Sequence, residues 1–338
     1  MGEANNQRSS IMKNRCLKIV TVFFLGILSF NALAQSTNEN FPKKTVKLIV
    51  GYGPGGSTDL IGRAVAQGLS EIWGTSVVVE NKPGGDTIIA SEMVAKSAPD
   101  GYTLLVANST NATNAASGRK LPYDPVGDFT SIAMVGAAPN LLSVNPSFKA
   151  NNLKELILIA KNTPNQFSYG TVGAGSSQNL LMEYFAKKAG IQLNHIPYKS
   201  GGAAITDIMG NHLIGILSGV ASQEQFVKSG KLKPIVFFSE KRSPILPNVP
   251  SISEDGFKGL SSDYWVGIMG PPKMPQELVN KINTDINTVL KSAEIQENFK
   301  KQGVETISGS SKDMSTYYAK ELKFWSVLTK ELGIDPPK

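Results

Sequence analysis

A short apolar strand that leads through a glycine-rich turn into a helix constrains this chain more than any other stretch. It covers residues 47–59 and reads KLIVGYGPGGSTD. The run 48–50 is apolar, as expected of a buried strand. Four glycines let the following turn bend sharply and approach a ligand closely: Gly51, Gly53, Gly55 and Gly56. Ser57, Thr58 and Asp59 are residue types that cap helices, and a helix start offers unpaired amides and a partial positive charge to an anion.

Three interpretations of this stretch are open on the local pattern. Gly51, Gly53 and Gly56 match the G-x-G-x-x-G pattern of dinucleotide-binding folds, and Glu80 lies where a ribose would be held. A nucleotide P-loop fails, because Ser57 stands where the phosphate-binding lysine belongs. A carboxylate site and a tight turn without a ligand are the other two interpretations.

The N-terminal segment, residues 1–34, has the pattern of an export signal. A basic start precedes the apolar run 19–30, and Ala32-Leu33-Ala34 is a cleavage site of the A-x-A type. We expect translation to begin at Met12 and cleavage to follow Ala34. An N-terminal anchor is the competing interpretation, although the run is short for a membrane span. The single cysteine, Cys16, lies in the signal, so the mature chain is expected to lack disulfides and cysteine-based metal sites.

Composition limits the class of partner. The 338 residues suffice for two domains, and the formal net charge falls from +7 to about +4 when the signal is removed. This mild charge is spread along the chain without basic clusters interleaved with aromatic residues, which argues against nucleic acid and favours small anions.

The order of elements predicts a parallel sheet covered by helices. Strands near 46–50, 77–79 and 103–107 alternate with helices 60–73 and 88–95, and the loops after these strands (53–58, 84–87 and 108–113) should share one rim. A second strand, near 167–170, runs into a Gly-rich turn with paired hydroxyls before a helix at 178–188. Crossings near 129–144 and 260–269 would divide the chain into a discontinuous lobe 1 (41–140 and 263–338) and an inserted lobe 2 (141–262), with a cleft between them.

Catalytic patterns are mostly absent from the sequence. His195 and His212 are the only histidines, and neither has a placed partner, so His195 is expected to be structural and His212 exposed. There is no carboxylate cluster suited to a metal and no cysteine nucleophile. Asp86 is ambiguous, because it could serve the turn or pair with a cation on the rim. The predicted export and the lack of an acid/base pair weaken the dinucleotide interpretation. We therefore expect no enzymatic activity, no cofactor and no metal.

The chain contains many segments that resemble, in the same order, those of the tripartite tricarboxylate transporter receptor family. Its members are periplasmic solute-binding proteins, also called Bug proteins. The similarity extends from about Phe41 to Gly333 and is carried by these segments: PGGSTD (54–59), VVVENKPGG (77–85), APDGYTLL (98–105), KLPYDPVGDF (120–129), GSS (175–177), HIPYKSGGAAITDIMG (195–210), SGKLK (229–233) and KRSPILPNVPSISE (241–254). The resemblance implies an α/β fold of the type II periplasmic-binding-protein class, in which two lobes joined by crossing strands close on a ligand. It also implies carboxylate ligands held by amides, hydroxyls and waters.

The ligand-binding residues expected from the rim and from this resemblance form two groups. The first lies in lobe 1: Gly55, Gly56, Ser57, Thr58, Gly85, Asp86, Thr87, Ser109 and Thr110. The second lies in lobe 2: Gly173, Gly175, Ser176, Ser177, Tyr198 and Ser218. The chain departs from the family pattern in two places. After strand two, members often read P-G-A-G-G-N, whereas this chain has Pro83-Gly84-Gly85-Asp86-Thr87-Ile88, and many members have Asp at the position of Ser218. An amino-bearing acid is therefore an open alternative for the ligand.

The resemblance implies an exported, periplasmic receptor that captures a small organic acid for uptake. Its expected partners are the membrane subunits of a tripartite tricarboxylate-type transporter or a sensor, and the receptor is expected to be a monomer. Two alternatives belong to other classes: a sensory or interaction protein that binds without supporting uptake, and an enzyme in the same cleft, either a dinucleotide-dependent oxidoreductase or a hydrolase.

Overall fold

The computed structural model describes residues 41–334, of which 42–334 belong to one compact unit. The predicted signal peptide, its cleavage after Ala34 and the start at Met12 lie outside the described residues. No helix within 41–334 is long and apolar enough to cross a membrane.

Strands and helices alternate along most of the chain. The strands are β1 (Val46–Val50), β2 (Val77–Asn81), β3 (Thr103–Asn108), β4 (Thr130–Val144), β5 (Ser168–Thr171), β6 (Asn194–Pro197), β7 (Gly215–Gly219), β8 (Lys233–Phe237), β9 (Asp263–Gly270) and β10 (Glu305–Thr306). The helices are α1 (Ser57–Trp73), α2 (Ile88–Ala95), α3 (Ser109–Ala116), α4 (Leu153–Asn162), α5 (Ser177–Ala189), α6 (Gly201–Met209), α7 (Glu224–Lys228), α8 (Gln276–Lys291), α9 (Ala293–Lys301) and α10 (Ser311–Leu332), with a 3₁₀ turn at Val220–Ser222.

One curled sheet connects two α/β lobes through the long strand β4. The strand order is β2-β1-β3-β9-β4-β7-β5-β6, and β8 and β10 also pair with β4. Residues 130–139 of β4 pair with β9, whereas residues 140–144 pair with β7 and β8. The chain thus has the predicted architecture, two α/β lobes joined by crossing strands. The change of partners in β4 supports the predicted lobe boundaries, which remain a prediction.

Parallel pairing sets the geometry of the cleft. In the first lobe β1 pairs in parallel with β2 and β3, and in the second lobe β5 pairs in parallel with β6 and β7. The carboxyl ends of these strands lead into the glycine-rich turns and helix starts, as open α/β sheets require of a ligand-binding edge. Apolar residues of both crossing strands, such as Leu142 and Trp265, are fully buried and hold the connection between the lobes.

The polar segment after β3 is helical, whereas the sequence indicated a small polar loop. Asn108 caps α3 by accepting from the Thr110 amide at 2.9 Å, and the Asn111 side chain accepts from the Asn108 amide at 2.9 Å. Contacts with α10 add support, since the Thr329 hydroxyl donates to the Ala116 carbonyl at 3.3 Å. Tertiary packing therefore overrides the weak helix propensity of Ser, Thr and Asn.

Candidate functional site

Helix α1 begins with amides that have no acceptor. Gly56 is the N-cap residue, and no side chain caps the helix. The amides of Ser57, Thr58 and Asp59 are the first three of the helix, so they lack partners within it. No acceptor outside the helix is found for them in residues 41–334. This helix start therefore keeps its capacity to bind an anion.

The Asp59 side chain fixes the shape of the glycine turn. It accepts from the Gly55 amide at 3.0 Å, from the Asn81 side chain at 2.8 Å and from Arg63 at 2.9–3.0 Å. Burial opposes ionisation, but the hydrogen bonds from Arg63, Gly55 and Asn81 outweigh it and hold the pKa of Asp59 below its ordinary value. The charge beside the helix start is thus compensated by Arg63. Asp59 stabilises the turn that precedes the helix and does not cap the helix, since Ser57, Thr58 and Asp59 all lie within it.

A small cavity lies between this helix start and the second lobe. Residues of both lobes line it: Tyr52, Gly56, Ser57, Thr58, Val172, Gln178, Gly201, Ser218, Gly219, Ser222 and Tyr264. None of these side chains carries a charge at neutral pH. The cavity volume is about 10 Å³, which is at most the space of one water. The lobes are therefore closed on each other in this conformation.

Direct hydrogen bonds join the lobes around the cavity. The Ser57 hydroxyl donates to the Gly219 carbonyl at 3.0 Å, and the Gly53 amide donates to the Lys199 carbonyl at 2.8 Å. The Thr58 hydroxyl is hydrogen-bonded to the Tyr264 hydroxyl on the crossing strand β9. These contacts make the first glycine-rich turn part of the closed interface.

Two buried tyrosines contribute hydroxyls to the cavity. The Tyr52 hydroxyl is buried and forms no hydrogen bond within residues 41–334. Burial holds the pKa of Tyr52 well above its ordinary value. The nearby Thr110 hydroxyl acts in the opposite direction and lowers that pKa. Burial also raises the pKa of Tyr264. Both tyrosines therefore remain neutral, and Tyr52 has an unused donor in the cavity wall.

The glycines and serines of the second glycine-rich turn lie beside the cavity, whereas Val172 of the same turn lines it. The Ser176 hydroxyl caps α5 by accepting from the Asn179 amide at 3.3 Å and donates to the Gly173 carbonyl at 2.8 Å. The Asn179 side chain in turn accepts from the Gly175 amide at 2.9 Å. The two turns are therefore not equivalent, because the amides around α5 are largely taken.

Asp86 and Arg119 close over the second turn from the first lobe. Arg119 Nη1 lies 2.6 Å from Asp86 Oδ2, and Nη2 donates to the Ala174 carbonyl. A β-carbon at Gly173 would collide with Asp86, and one at Gly175 would collide with Arg119. Burial raises the pKa of Asp86, while the hydrogen bond and charge of Arg119 oppose that rise. Asp86 therefore pairs with a cation, which is one of the two roles that the sequence left open for it.

The remaining predicted residues lie in the wall, near it or farther away. Ser218 lines the cavity and lies 3.0 Å from the Ser222 hydroxyl. Ser177 donates its amide to the Thr110 hydroxyl at 3.4 Å, which joins α5 to α3. Four others lie outside the cavity lining: Gly85 (exposed), Thr87 (N-cap position of α2), Ser109 (hydroxyl accepting from the Trp265 amide) and Tyr198 (hydroxyl donating to Asp207).

Several residues of the site were missed by the sequence reasoning. Tyr52 lies inside the glycine turn itself, and Gln178 directly follows the predicted Ser177. Tyr52 and Gln178 could have been predicted from the sequence, because each lies next to residues that were already assigned to the site. Tyr264, Ser222 and Arg119 come from distant segments, and only the tertiary fold brings them to the cleft.

The two histidines and Glu80 lie outside the lining of the interlobe cavity. His195 Nε2 is 2.7 Å from the Thr171 hydroxyl, and His212 is exposed, as predicted for both. Glu80 forms ion pairs with Lys47 and Lys82, so its carboxylate is occupied. Within 41–334, no group of three or more His, Cys, Asp or Glu side chains could hold a metal ion.

A larger open groove of about 980 Å³ runs beside the crossing strands, away from both glycine turns. Its wall carries charges of both signs, including Glu240, Arg242, Asp263 and Glu305. Its carboxylates oppose the binding of an anion, so the chemistry for an anion favours the small interlobe cavity, which no charged side chain lines.

The sequence model of the tripartite tricarboxylate transporter family receptor matches residues 61–334. The chain belongs to this receptor family. Protein BugT of Bordetella pertussis is 30% identical over 321 residues, which cover 94% of this chain and 98% of BugT.

Solved structures of similar proteins agree with the family assignment. The periplasmic binding protein BugD has a TM-score of 0.84 at 28% identity, covering 87% of this chain and 99% of BugD. Rpa4515 of R. palustris, solved with adipate, has a TM-score of 0.83 at 31% identity and covers 87% of this chain and 98% of that one. The receptor family and the fold class implied by the sequence are thereby confirmed.

Proposed function

We propose that this protein is an exported solute-binding receptor that captures a small organic carboxylate between its two lobes for uptake by a tripartite tricarboxylate-type transporter. One observation carries the proposal. The unpaired amides at the start of α1 border a cavity between the lobes whose other polar walls are neutral hydroxyls and amides. A carboxylate that accepts from several backbone amides is well stabilised without a cationic side chain.

The relatives support a carboxylate as the ligand. The chain belongs to a receptor family named for tricarboxylate transport, and a 31% identical protein was solved with adipate, a dicarboxylate. Both features point to small organic acids as the class to test first.

Capture requires the lobes to open and close. A cavity of about 10 Å³ cannot hold an organic acid, so the ligand enters an open form and bridges the lobes when they close. A ligand that contacts both lobes only in the closed form shifts the population toward that form. The membrane subunits of the transporter would then recognise the closed receptor.

Export, partners and assembly state belong to the proposal as well. The basic-apolar-AxA pattern of residues 1–34 supports export to the periplasm, where BugD is described as a binding protein. The receptor would act as a monomer without metal or cofactor, and would release its ligand chemically unchanged.

A thermal-shift screen of residues 35–338 against organic acids, amino acids, aromatic acids and NAD tests the proposal, followed by calorimetry. We expect carboxylates to raise the melting temperature by mass action and to be recovered unchanged after incubation. Stabilisation by NAD, or consumption of a bound acid, would contradict the proposal in favour of an enzyme.

A further inference from the structure

Two helix starts face each other across the interlobe cavity. Gly56 and Ser57 line it at the start of α1, and Gly201 lines it at the start of α6. A β-carbon at Gly56 would lie 3.7 Å from the Gly201 amide nitrogen, so the two segments approach each other closely. The amides of Gly201 and Gly202 have no acceptor within residues 41–334, and the same is true of the amides of Ser57 and Thr58. Backbone donors of both lobes therefore converge on this cavity.

Most polar side chains in the lining of the cavity already have partners in the protein. The Ser57 hydroxyl donates to a backbone carbonyl of the second lobe at 3.0 Å, and the Gln178 side chain donates to Asn140 Oδ1 at 3.1 Å. The hydroxyls of Ser218 and Ser222 lie 3.0 Å apart and are hydrogen-bonded to each other. These side chains fix the shape of the closed cavity.

Tyr52 differs from the other polar residues of the lining. The hydroxyls of Thr58 and Tyr264 are hydrogen-bonded to each other, whereas the Tyr52 hydroxyl is buried without a hydrogen-bond partner in the described part of the chain. The residue is only 4% exposed, so bulk water does not replace the missing bond. A buried donor without an acceptor is costly, and a ligand oxygen in the cavity would remove that cost.

The surroundings of Tyr52 favour a donor role for its hydroxyl. Burial raises the pKa of Tyr52 well above its ordinary value, and the neighbouring Tyr264 raises it further, so the hydroxyl keeps its proton. The Thr110 hydroxyl lowers the pKa of Tyr52, which is the effect of a group that donates toward the phenolic oxygen. Thr110 Oγ1 in turn accepts from the Ser177 amide at 3.4 Å. The phenolic hydrogen of Tyr52 is therefore free for a ligand.

We infer that Tyr52 is a ligand-binding residue that donates its hydroxyl hydrogen to the bound carboxylate, alongside the backbone amides of the two helix starts. The cavity has at most the space of one water, so a carboxylate oxygen in it would lie beside both helix starts and Tyr52. Tyr52 thus adds a side-chain donor to a site that backbone amides otherwise form. This inference rests on the proposed function and names a further residue of the same site.

The Tyr52→Phe variant provides the test, because it removes the hydroxyl and keeps the ring. Calorimetry on residues 35–338 compares the Kd of the variant and of the unmodified protein for succinate, glutarate, adipate and citrate, and for any further acid that the thermal-shift screen identifies. We expect the Kd of each acid that binds to rise by about tenfold to hundredfold, as expected for the loss of a hydrogen bond to a charged group.

The matched control is Tyr123→Phe. The Tyr123 hydroxyl is also buried without a hydrogen-bond partner within residues 41–334, but Tyr123 lies outside the cavity lining and packs edge-on against Phe129, with ring centroids 5.4 Å apart. Both substitutions remove an unpartnered buried hydroxyl, so neither should lower the melting temperature of the ligand-free protein. Tyr123→Phe should leave the Kd of every acid unchanged.

The outcomes separate this inference from the proposed function. An unchanged Kd in a folded Tyr52→Phe variant would overturn the role of Tyr52 and leave a carboxylate receptor. Equal losses of affinity in the Tyr52→Phe and Tyr123→Phe variants would also overturn that role, because Tyr123 does not line the cavity. Failure of every organic acid to bind the unmodified protein would overturn the proposed function, and the inference with it.

Discussion

The hydroxyl of Ser57 at the start of α1 donates to the carbonyl of Gly219 at the end of β7, across 3.0 Å between the two lobes. One residue of the glycine-rich turn therefore serves both closure and the cavity wall. A β-carbon at Gly219 would meet the Ser57 side chain, so glycine is required for this close approach. The proposed ligand site and the contact between the lobes therefore share Ser57, the first through its amide and the second through its hydroxyl.

Removal of the Ser57 hydroxyl should weaken binding without unfolding the protein. Ser57→Ala removes one interlobe hydrogen bond, worth about 0.5–1.5 kcal/mol, so we expect the Kd for a bound carboxylate to rise by about 2- to 13-fold. Calorimetry measures the Kd and thermal unfolding reports the fold. Ser176→Ala is the matched control, because Ser176 caps α5 outside the cavity lining. It should cost about 1 kcal/mol of stability with a smaller change in Kd. The reverse ranking of the two variants would contradict this assignment.

Neutralising Asp59 should destabilise the turn in a pH-dependent way. Asp59 has a depressed pKa in the folded state, so its contribution is present above the unfolded pKa of about 4 and is lost as pH falls through the folded pKa. We expect Asp59→Asn to lower the free energy of unfolding by about 1–3 kcal/mol at pH 7. In urea titrations the difference should shrink as pH falls below 4. A constant difference from pH 7 to pH 3 would argue against an ionised Asp59.

Glu321 on α10 should show the opposite dependence. Its Oε2 accepts from the indoles of Trp265 at 2.9 Å and Trp325 at 3.1 Å, and burial raises its pKa. A raised pKa favours the folded state below the unfolded pKa, and this advantage is lost as pH rises through the folded pKa. Glu321→Gln keeps an acceptor without the charge, so it should gain stability relative to the unmodified protein between pH 5 and pH 8.

The control at the same position is Glu321→Leu, which leaves two indole donors without their acceptor. It should cost about 2 kcal/mol or more at every pH. Urea unfolding at pH 5 and pH 8 distinguishes the two variants. If the Glu321→Gln variant became less stable than the unmodified protein as pH rises, the charged carboxylate would be the favoured form of Glu321, and the prediction would be wrong.

The contact of Gly173 with Asp86 should appear as coupling between the two positions. Gly173 has a φ of +148°, and its missing β-carbon makes room for Asp86. Gly173→Ala introduces backbone strain and displaces Asp86 from Arg119. In an Asp86→Ala background only the strain remains, so we expect a coupling energy of about 1–3 kcal/mol from a double-mutant cycle. Additive effects on the free energy of unfolding would show that the contact does not form.

The sequence predicted the fold more fully than the site. The alternation of apolar runs with glycine turns located β1 to β3 and their helices, and the long apolar runs indicated the crossing strands β4 and β9. These features are local and periodic. The sequence signal for the start of α1 was also local, because a glycine-rich turn and residue types that often cap helices mark it. The polar helix α3 was missed because its stability comes from α10, about 200 residues away in the sequence.

The partners across the cleft could not be predicted from local patterns. Arg119 is 33 residues from Asp86 and 55 residues from Ala174 in the sequence, and Tyr264 is 206 residues from Thr58. The second glycine turn resembles the first in composition, yet its amides are taken by Ser176 and Asn179. Whether a helix start is free depends on side-chain geometry that residue types alone do not specify.

A crystal structure of residues 35–338 with a bound carboxylate tests the central claim most directly. We predict carboxylate oxygens about 2.7–3.2 Å from the amide nitrogens of Ser57 and Thr58, in the cavity between the lobes. A carboxylate held instead by a metal ion, by arginine side chains or in a different cavity would contradict the account.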